Sequence, residues 1–80
     1  MTTNLPGPTS EHLNVTMIKQ MMKEQQYCEV SQMPLVEEDT FLVRILSTDE
    51  QLLVCGRGLR SLGVHPEDLE VTSAETGMIL

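Results

Sequence analysis

The sequence has 80 residues and a formal net charge of −7; 40% of its residues are hydrophobic, but only Tyr27 and Phe41 are aromatic. A chain of this length is expected to bury roughly 60% of its unfolded surface, which excludes a multidomain enzyme. The charge disfavours direct binding to nucleic acid or to a membrane surface and favours a basic protein partner, although it also serves plain solubility. The scarcity of aromatic rings excludes the stacking platforms of single-strand binding proteins.

The cysteines and the first residues bear on the cellular compartment. Cys28 and Cys55 could form at most one disulfide, and residues 1–4 have neither the basic nor the apolar region of a signal peptide. We therefore expect a cytoplasmic protein with reduced thiols. His12 and His65 do not stand at zinc-ligand spacing from each other or from a cysteine, so no metal or cofactor is predicted.

The first third of the chain predicts an extended leader over residues 1–8 and a helix within residues 9–26. Thr9 or Ser10 can accept hydrogen bonds from the first free backbone amides of this helix, which is expected to run from about residue 11 to residue 25. Its apolar side chains recur at helical spacing on one wide face, namely Leu13, Val15, Met17, Ile18, Met21 and Met22. Such a face is expected to pack on a sheet or in an interface.

Residues 27–33 alternate apolar and polar side chains and predict a short edge strand that ends at Pro34. An acidic connection over residues 34–39 follows. Seven acidic residues lie between Glu24 and Glu50, against the single base Arg44. The negative field of the chain is therefore expected to concentrate here.

The second half predicts two antiparallel hairpins. Residues 40–46 and 51–55 alternate as strands around a polar four-residue turn, and residues 69–72 and 78–80 form a second pair, so the last residues should be paired. Between the hairpins, Gly56-Arg57-Gly58 is expected to break the strand.

After this break, residues 59–63 are expected to form a compact turn or a single helical turn, and Pro66 favours the first position of a helical turn. The chain is thus predicted to be one α+β domain over residues 1–80. Its N-terminal helix is expected to pack on an antiparallel sheet of about four to five strands.

Catalytic chemistry is not predicted. The chain has two histidines, no G-x-S-x-G sequence and too small a core for a sizeable pocket, so no catalytic residue is assigned. The glycines around Arg57, together with Arg60, could hold an anion, but without a P-loop continuation a glycine turn whose arginines pair with carboxylates is the simpler interpretation. The consecutive acids Glu37, Glu38 and Asp39 form either a solvated segment or a surface that mimics phosphates.

DNA mimicry gives the acidic residues a specific role. Carboxylates spaced like phosphates engage the basic groups of a DNA-binding groove. Enzymes that flip bases also insert an apolar side chain into the duplex, which a mimic could capture in an apolar pocket. The residues predicted to build such a pocket are Met33, Leu35 and Val36 against Val43, Leu53 and Val71.

The chain resembles the phage-encoded uracil-DNA glycosylase inhibitor family, whose members are small acidic proteins with an N-terminal helix and an antiparallel sheet. The resemblance rests on Glu29-Val30-Ser31, in place of the family's Glu-Ser-Ile, on Met33-Pro34 followed by Glu37-Glu38, and on the two hairpins. It implies a monomeric inhibitor that forms a 1:1 complex and occludes the DNA-binding site of a uracil-DNA glycosylase. Glu29 would be the leading phosphate mimic.

Together, these arguments predict a partner-binding surface. Its predicted members are Glu29, Val30, Ser31, Met33, Val36, Glu37, Glu38, Asp39, Val43, Leu53 and Val71.

Residues 54–64 and 67–71 are similar to the swapped-hairpin domain of AbrB-type regulators and MazE-type antitoxins. That resemblance implies a dimer in which Arg44, Arg57 and Arg60 contact DNA and the N-terminal helix engages a toxin or another partner. Five basic residues in the whole chain would neutralise few phosphates, which disfavours this alternative. A third possibility is an adaptor that binds through its amphipathic helix.

Overall fold

A computed structural model describes residues 10–80, so the predicted leader and Thr9 lie outside the described part of the chain. Two helices and three strands follow one another in the order α1 (Ser10–Glu24), β1 (Thr40–Ile45), β2 (Glu50–Cys55), α2 (Gly56–Ser61) and β3 (Leu69–Ser73). Short 3₁₀ helices at Glu37–Asp39 and Pro66–Asp68 precede β1 and β3. The turn predicted at Pro66 is confirmed.

The N-terminal helix is confirmed as α1. Glu11 lies in its first turn and Lys23 in its last, where each charge opposes the partial charge of the helix end. Ile18 is fully buried and packs with Leu42 and Leu53 of the sheet. The apolar spacing predicted a face that packs on a sheet or in an interface, because residues three and four apart share one face of a helix. Only part of that face is covered by the sheet, since Leu13 and Met17 are exposed.

The α+β architecture is confirmed, but the sheet has three strands in the order β2-β1-β3 and not four to five. Both pairings are antiparallel. The strand predicted over residues 27–33 is wrong because that segment closes on itself. The last residues are paired as expected, since the Leu80 amide donates to the Val71 carbonyl at 2.8 Å, yet they contribute only an isolated bridge between Thr72 and Ile79.

The central hairpin is confirmed with its turn shifted by one residue, to 46–49. Asp49 has a φ of +61°, a conformation that aspartate tolerates better than most residues. Its carboxylate accepts a hydrogen bond from Nε of Arg44 at 2.8 Å, and a second carboxylate, that of Glu70, lies 3.7 Å from Nη1 of the same arginine. Arg44 is thus neutralised within the sheet.

The two faces of the sheet are covered by different elements. Leu42 is paired with Leu53, and these two lie under α1. Val43 is paired with Val71 and therefore faces the other side, where Leu59 of α2 packs on it and its neighbours. Each face of this small sheet thus has its own apolar cluster.

The strand break predicted at Gly56-Arg57-Gly58 is confirmed, since β2 ends at Cys55, but the helical turn expected over residues 59–63 begins earlier, as α2. The Cys55 thiol accepts a hydrogen bond from the Gly58 amide at 3.4 Å and caps this short helix. Gly58 is required here by close approach, because a Cβ at this position would lie 2.5 Å from Sγ of Cys28. The glycine therefore permits a helix to lie against a thiol.

Candidate interaction surface and thiol pair

The segment between α1 and the first 3₁₀ helix, residues 26–36, forms a closed loop that we call loop 26–36. Its stem is held by a backbone hydrogen bond from Leu35 to Gln26 at 2.9 Å, and its tip by bonds from Cys28 to Met33 at 2.8 Å and from Gln32 to Cys28 at 3.0 Å. The Glu29 amide also donates to a carbonyl at the outer edge of β2. The loop is therefore fixed at its stem, at its tip and against the sheet.

Loop 26–36 presents apolar side chains to solvent. Met33 is 45% exposed and Val36 is 52% exposed, and the other exposed apolar side chains of the loop are Tyr27 and Val30. Arg57 of α2 reaches across to the Met33 sulfur at 3.8 Å. Four exposed apolar residues on one short loop make it a candidate binding site.

The predicted acidic residues lie in this loop or directly after it in the chain, but they differ in their contacts. Glu37 lies 3.4 Å from Nζ of Lys19, and Asp39 accepts a hydrogen bond from the Gly56 amide at 3.1 Å. Glu29 and Glu38 are exposed, and within residues 10–80 neither carboxylate takes part in an ion pair. These two carboxylates are therefore the ones available to a partner.

The predicted apolar pocket is not formed. Val43 and Leu53 are both fully buried, and they belong to opposite faces of the sheet because Val43 is paired with Leu52. Val71 is half-buried beside Val43. These three residues serve the two core clusters, whereas Met33 and Val36 face solvent. Spacing along the chain could not show that the predicted lining residues would be divided between two faces.

The described residues do line one shallow cavity, of about 230 Å³, whose lining includes none of the residues of the predicted pocket. It lies between the start of α1 and the last residues of the chain and is lined by Ser10, Glu11, Asn14, Gly77, Met78 and Ile79. The Asn14 amide group donates to the Gly77 carbonyl at 2.9 Å and joins the two walls. No sequence motif pointed to this cavity.

Loop 26–36 and the end of β2 enclose a cluster of hydrogen bonds around two buried sulfurs. The sulfur of Cys28 is fully buried and accepts hydrogen bonds from the backbone amides of Val30, Ser31 and Cys55 at 3.3–3.4 Å. Burial raises the pKa of the Cys28 thiol, whereas hydrogen bonds from the Ser31 hydroxyl and from these amides lower it. The hydrogen bonds prevail and lower this pKa to about 6.

The second thiol belongs to the same cluster. Cys55 is also buried, and its sulfur lies 3.2 Å from the hydroxyl of Ser31. Ser31 therefore touches both sulfurs, that of Cys28 through its backbone amide and its hydroxyl and that of Cys55 through its hydroxyl. The sequence placed Ser31 on a partner-binding strand and left the separation of the cysteines open, because a 27-residue interval carries no information about contact in space.

The arginines required by the alternative DNA-binding dimer do not act together in this structure. Arg44 is paired with Asp49 and Glu70 on β1, whereas Arg57 and Arg60 are exposed on α2. Only the two α2 arginines are available to an anion.

Comparison of the chain with protein-family models, with curated proteins and with solved structures found no match. Within residues 10–80, no helix combines the length and the apolar character needed to cross a membrane.

Proposed function

We propose that this protein is an acidic inhibitor that binds the basic DNA-binding surface of an enzyme and occludes it, and that the enzyme is a uracil-DNA glycosylase. The single observation that carries the proposal is loop 26–36, where the exposed Val30, Met33 and Val36 stand along the chain between Glu29 and Glu38, whose carboxylates form no ion pair within residues 10–80. The protein acts by stoichiometric 1:1 binding as a cytoplasmic monomer, without a cofactor and without catalysing a reaction.

Charge and apolar area contribute differently to such a complex. Exposed carboxylates on a chain of charge −7 steer the protein toward a basic groove and chiefly increase the association rate. Burial of Met33 and Val36 removes apolar surface from water and chiefly slows dissociation. A DNA-binding enzyme that carries an exposed apolar wedge has a basic groove for the carboxylates and an apolar surface for Met33 and Val36.

The structure changes the form of the binding element. Glu29, Val30 and Ser31 lie at the tip of a closed loop and not on a strand, so the loop tip would enter the groove in place of a strand edge. The apolar wedge would pack on the exposed Met33 and Val36, since the pocket predicted between sheet residues is filled. The phosphate-mimicking role then belongs to Glu29 and Glu38.

The test is a uracil-excision assay in which this protein is titrated against a purified glycosylase acting on a uracil-containing duplex. We expect complete inhibition at about one equivalent and a complex that co-elutes on a sizing column. No inhibition and no complex at large excess would reject the proposal and bring the dimeric DNA-binding regulator forward.

A charge-matched pair of double variants separates local mimicry from net charge. Glu29→Gln with Glu38→Gln and the control Glu67→Gln with Glu75→Gln each change the net charge from −7 to −5, since each removes two exposed carboxylates. We expect only the first variant to slow association, by about threefold to tenfold at low salt, with the difference shrinking as salt is added. Equal effects of the two variants would show that loop 26–36 is not the contact.

A further inference from the structure

The two cysteines share one buried compartment that the proposed inhibitor function does not use. The Cys28 sulfur lies 3.4 Å from the backbone nitrogen of Cys55, and the Cys55 sulfur lies 3.2 Å from the Ser31 hydroxyl. The Ser31 amide in turn donates to the Cys28 sulfur at 3.3 Å. Since the Cα atoms of a disulfide lie roughly 4.4–6.8 Å apart, a sulfur this close to the backbone of the other cysteine is compatible with a bridge between the two.

The surroundings of Cys28 favour its reactive form. Three backbone amides point at one sulfur, and amide donors stabilise a thiolate more than a neutral thiol. Gly58 packs directly against this sulfur, where any Cβ would lie 2.5 Å from it. A structural cysteine in an apolar core requires neither feature.

We infer that Cys28 and Cys55 form a reversible disulfide when the protein is exposed to a peroxide, and that this oxidation changes the conformation of loop 26–36. The Cys28 thiolate attacks one oxygen of hydrogen peroxide, the O–O bond breaks, and hydroxide leaves and is protonated to water. The Cys55 sulfur then attacks the resulting sulfenic acid, so that an S–S bond forms and the S–O bond breaks, and the thiol proton of Cys55 leaves with the hydroxide as a second water. Two thiols are oxidised by two electrons in all, and a thiol reductant reverses the change.

The disulfide has a structural consequence. A bridged Cys28 sulfur carries no negative charge, so it loses the attraction that holds the amides of Val30, Ser31 and Cys55 around it. Cys55 at the same time gives up its contacts with Ser31 and with the start of α2. The tip of loop 26–36 must therefore rearrange, and the expectation that oxidation changes partner binding rests on the proposed function.

The direct test is peptide mapping of the intact protein after treatment with hydrogen peroxide. We expect the mass to fall by about 2 Da and trypsin to release residues 24–44 linked to residues 45–57. Cys55→Ala should give no such link and should instead gain oxygen at Cys28. Any of three results in the wild type would overturn the inference: both thiols remain free, Cys28 gains oxygen without a link to Cys55, or the link forms only between two molecules.

Amide NMR spectra and the glycosylase assay then separate the consequences. The amide resonances of Val30, Ser31 and Cys55 should shift on oxidation and return with reductant, while that of Glu70 on β3 should remain in place. Unchanged loop amides in the disulfide form would contradict the role of the loop. Inhibition by the reduced protein that falls at least tenfold on oxidation would support the link to function. A protein that never inhibits would reject the inhibitor while the mass result still decides the disulfide.

Discussion

At the scale of single residues, Cys28 connects local backbone geometry to the candidate surface. The backbone amides of Val30, Ser31 and Cys55 donate hydrogen bonds to its sulfur. In a sheet, such amides would donate to carbonyl groups of a neighbouring strand. The sequence identified Ser31 as a functional residue but not its contacts, since these depend on α2 and β2 meeting the loop. Glu29 and Glu38 were identifiable as exposed acids from charge alone.

The lowered pKa of Cys28 predicts how stability depends on pH. This pKa is about 6 in the folded protein, below the value of roughly 8.5 for an unfolded cysteine, so the thiolate stabilises the fold. The stabilisation is complete above about pH 8.5 and is lost as the pH falls through about 6. We expect the free energy of unfolding to rise by roughly 2–3 kcal/mol between pH 5.5 and pH 8.5.

Urea denaturation under reducing conditions measures this dependence. Cys28→Ser should remove the rise, because serine does not ionise in this range, while Cys55→Ser should retain most of it. A rise of equal size in wild type and Cys28→Ser would assign the effect to other titrating groups.

At the scale of secondary structure, elements whose apolar periodicity matches their burial were predictable. The helix, the central hairpin and the turn at Pro66 follow from spacing and from local turn residues. Residues 27–33 alternate like a strand but turn back after four residues, because a buried sulfur and the outer edge of β2 satisfy their amides. Residues 56–58 contain two glycines, yet they lie in a helix. The glycine at position 58 is explained by a long-range contact, because a Cβ there would lie 2.5 Å from Sγ of Cys28.

Gly77 joins the end of β3 to α1 and gives the clearest prediction at this scale. Its φ is +73°, and a Cβ at this position would overlap the backbone carbonyl of Glu11. We expect Gly77→Ala to lower the free energy of unfolding by about 2–4 kcal/mol, since both the backbone conformation and the helix contact are lost. Thermal and urea unfolding followed by circular dichroism measure the change.

Gly63→Ala is the matched control for this variant, because a Cβ at position 63 would meet nothing within 4 Å. It should leave stability within about 1 kcal/mol of the wild type. A Gly77→Ala protein as stable as the control would show that α1 does not depend on this contact.

At the scale of the whole molecule, the fold covers both outer edges of its three-stranded sheet. At the outer edge of β2, the Leu53 carbonyl accepts hydrogen bonds from the Glu29 backbone amide and from the side-chain amide of Gln25. The free edge of β3 is paired with residues 78–80 through Ser73 and Val71. Covered edges oppose pairing with a second chain, and a net charge of −7 adds repulsion between copies.

This arrangement predicts a monomer and distinguishes the inhibitor from the swapped-hairpin regulator. Light scattering on a sizing column should give the 9.0 kDa of one chain, whereas the regulator requires twice that mass. Deletion of residues 78–80 removes two backbone hydrogen bonds from the β3 edge and should raise the self-associated fraction with protein concentration, because unpaired strand edges template pairing. Leu80→Ala keeps the backbone bonds and should remain monomeric. A full-length dimer at micromolar concentration would contradict the covered-edge argument and favour the regulator.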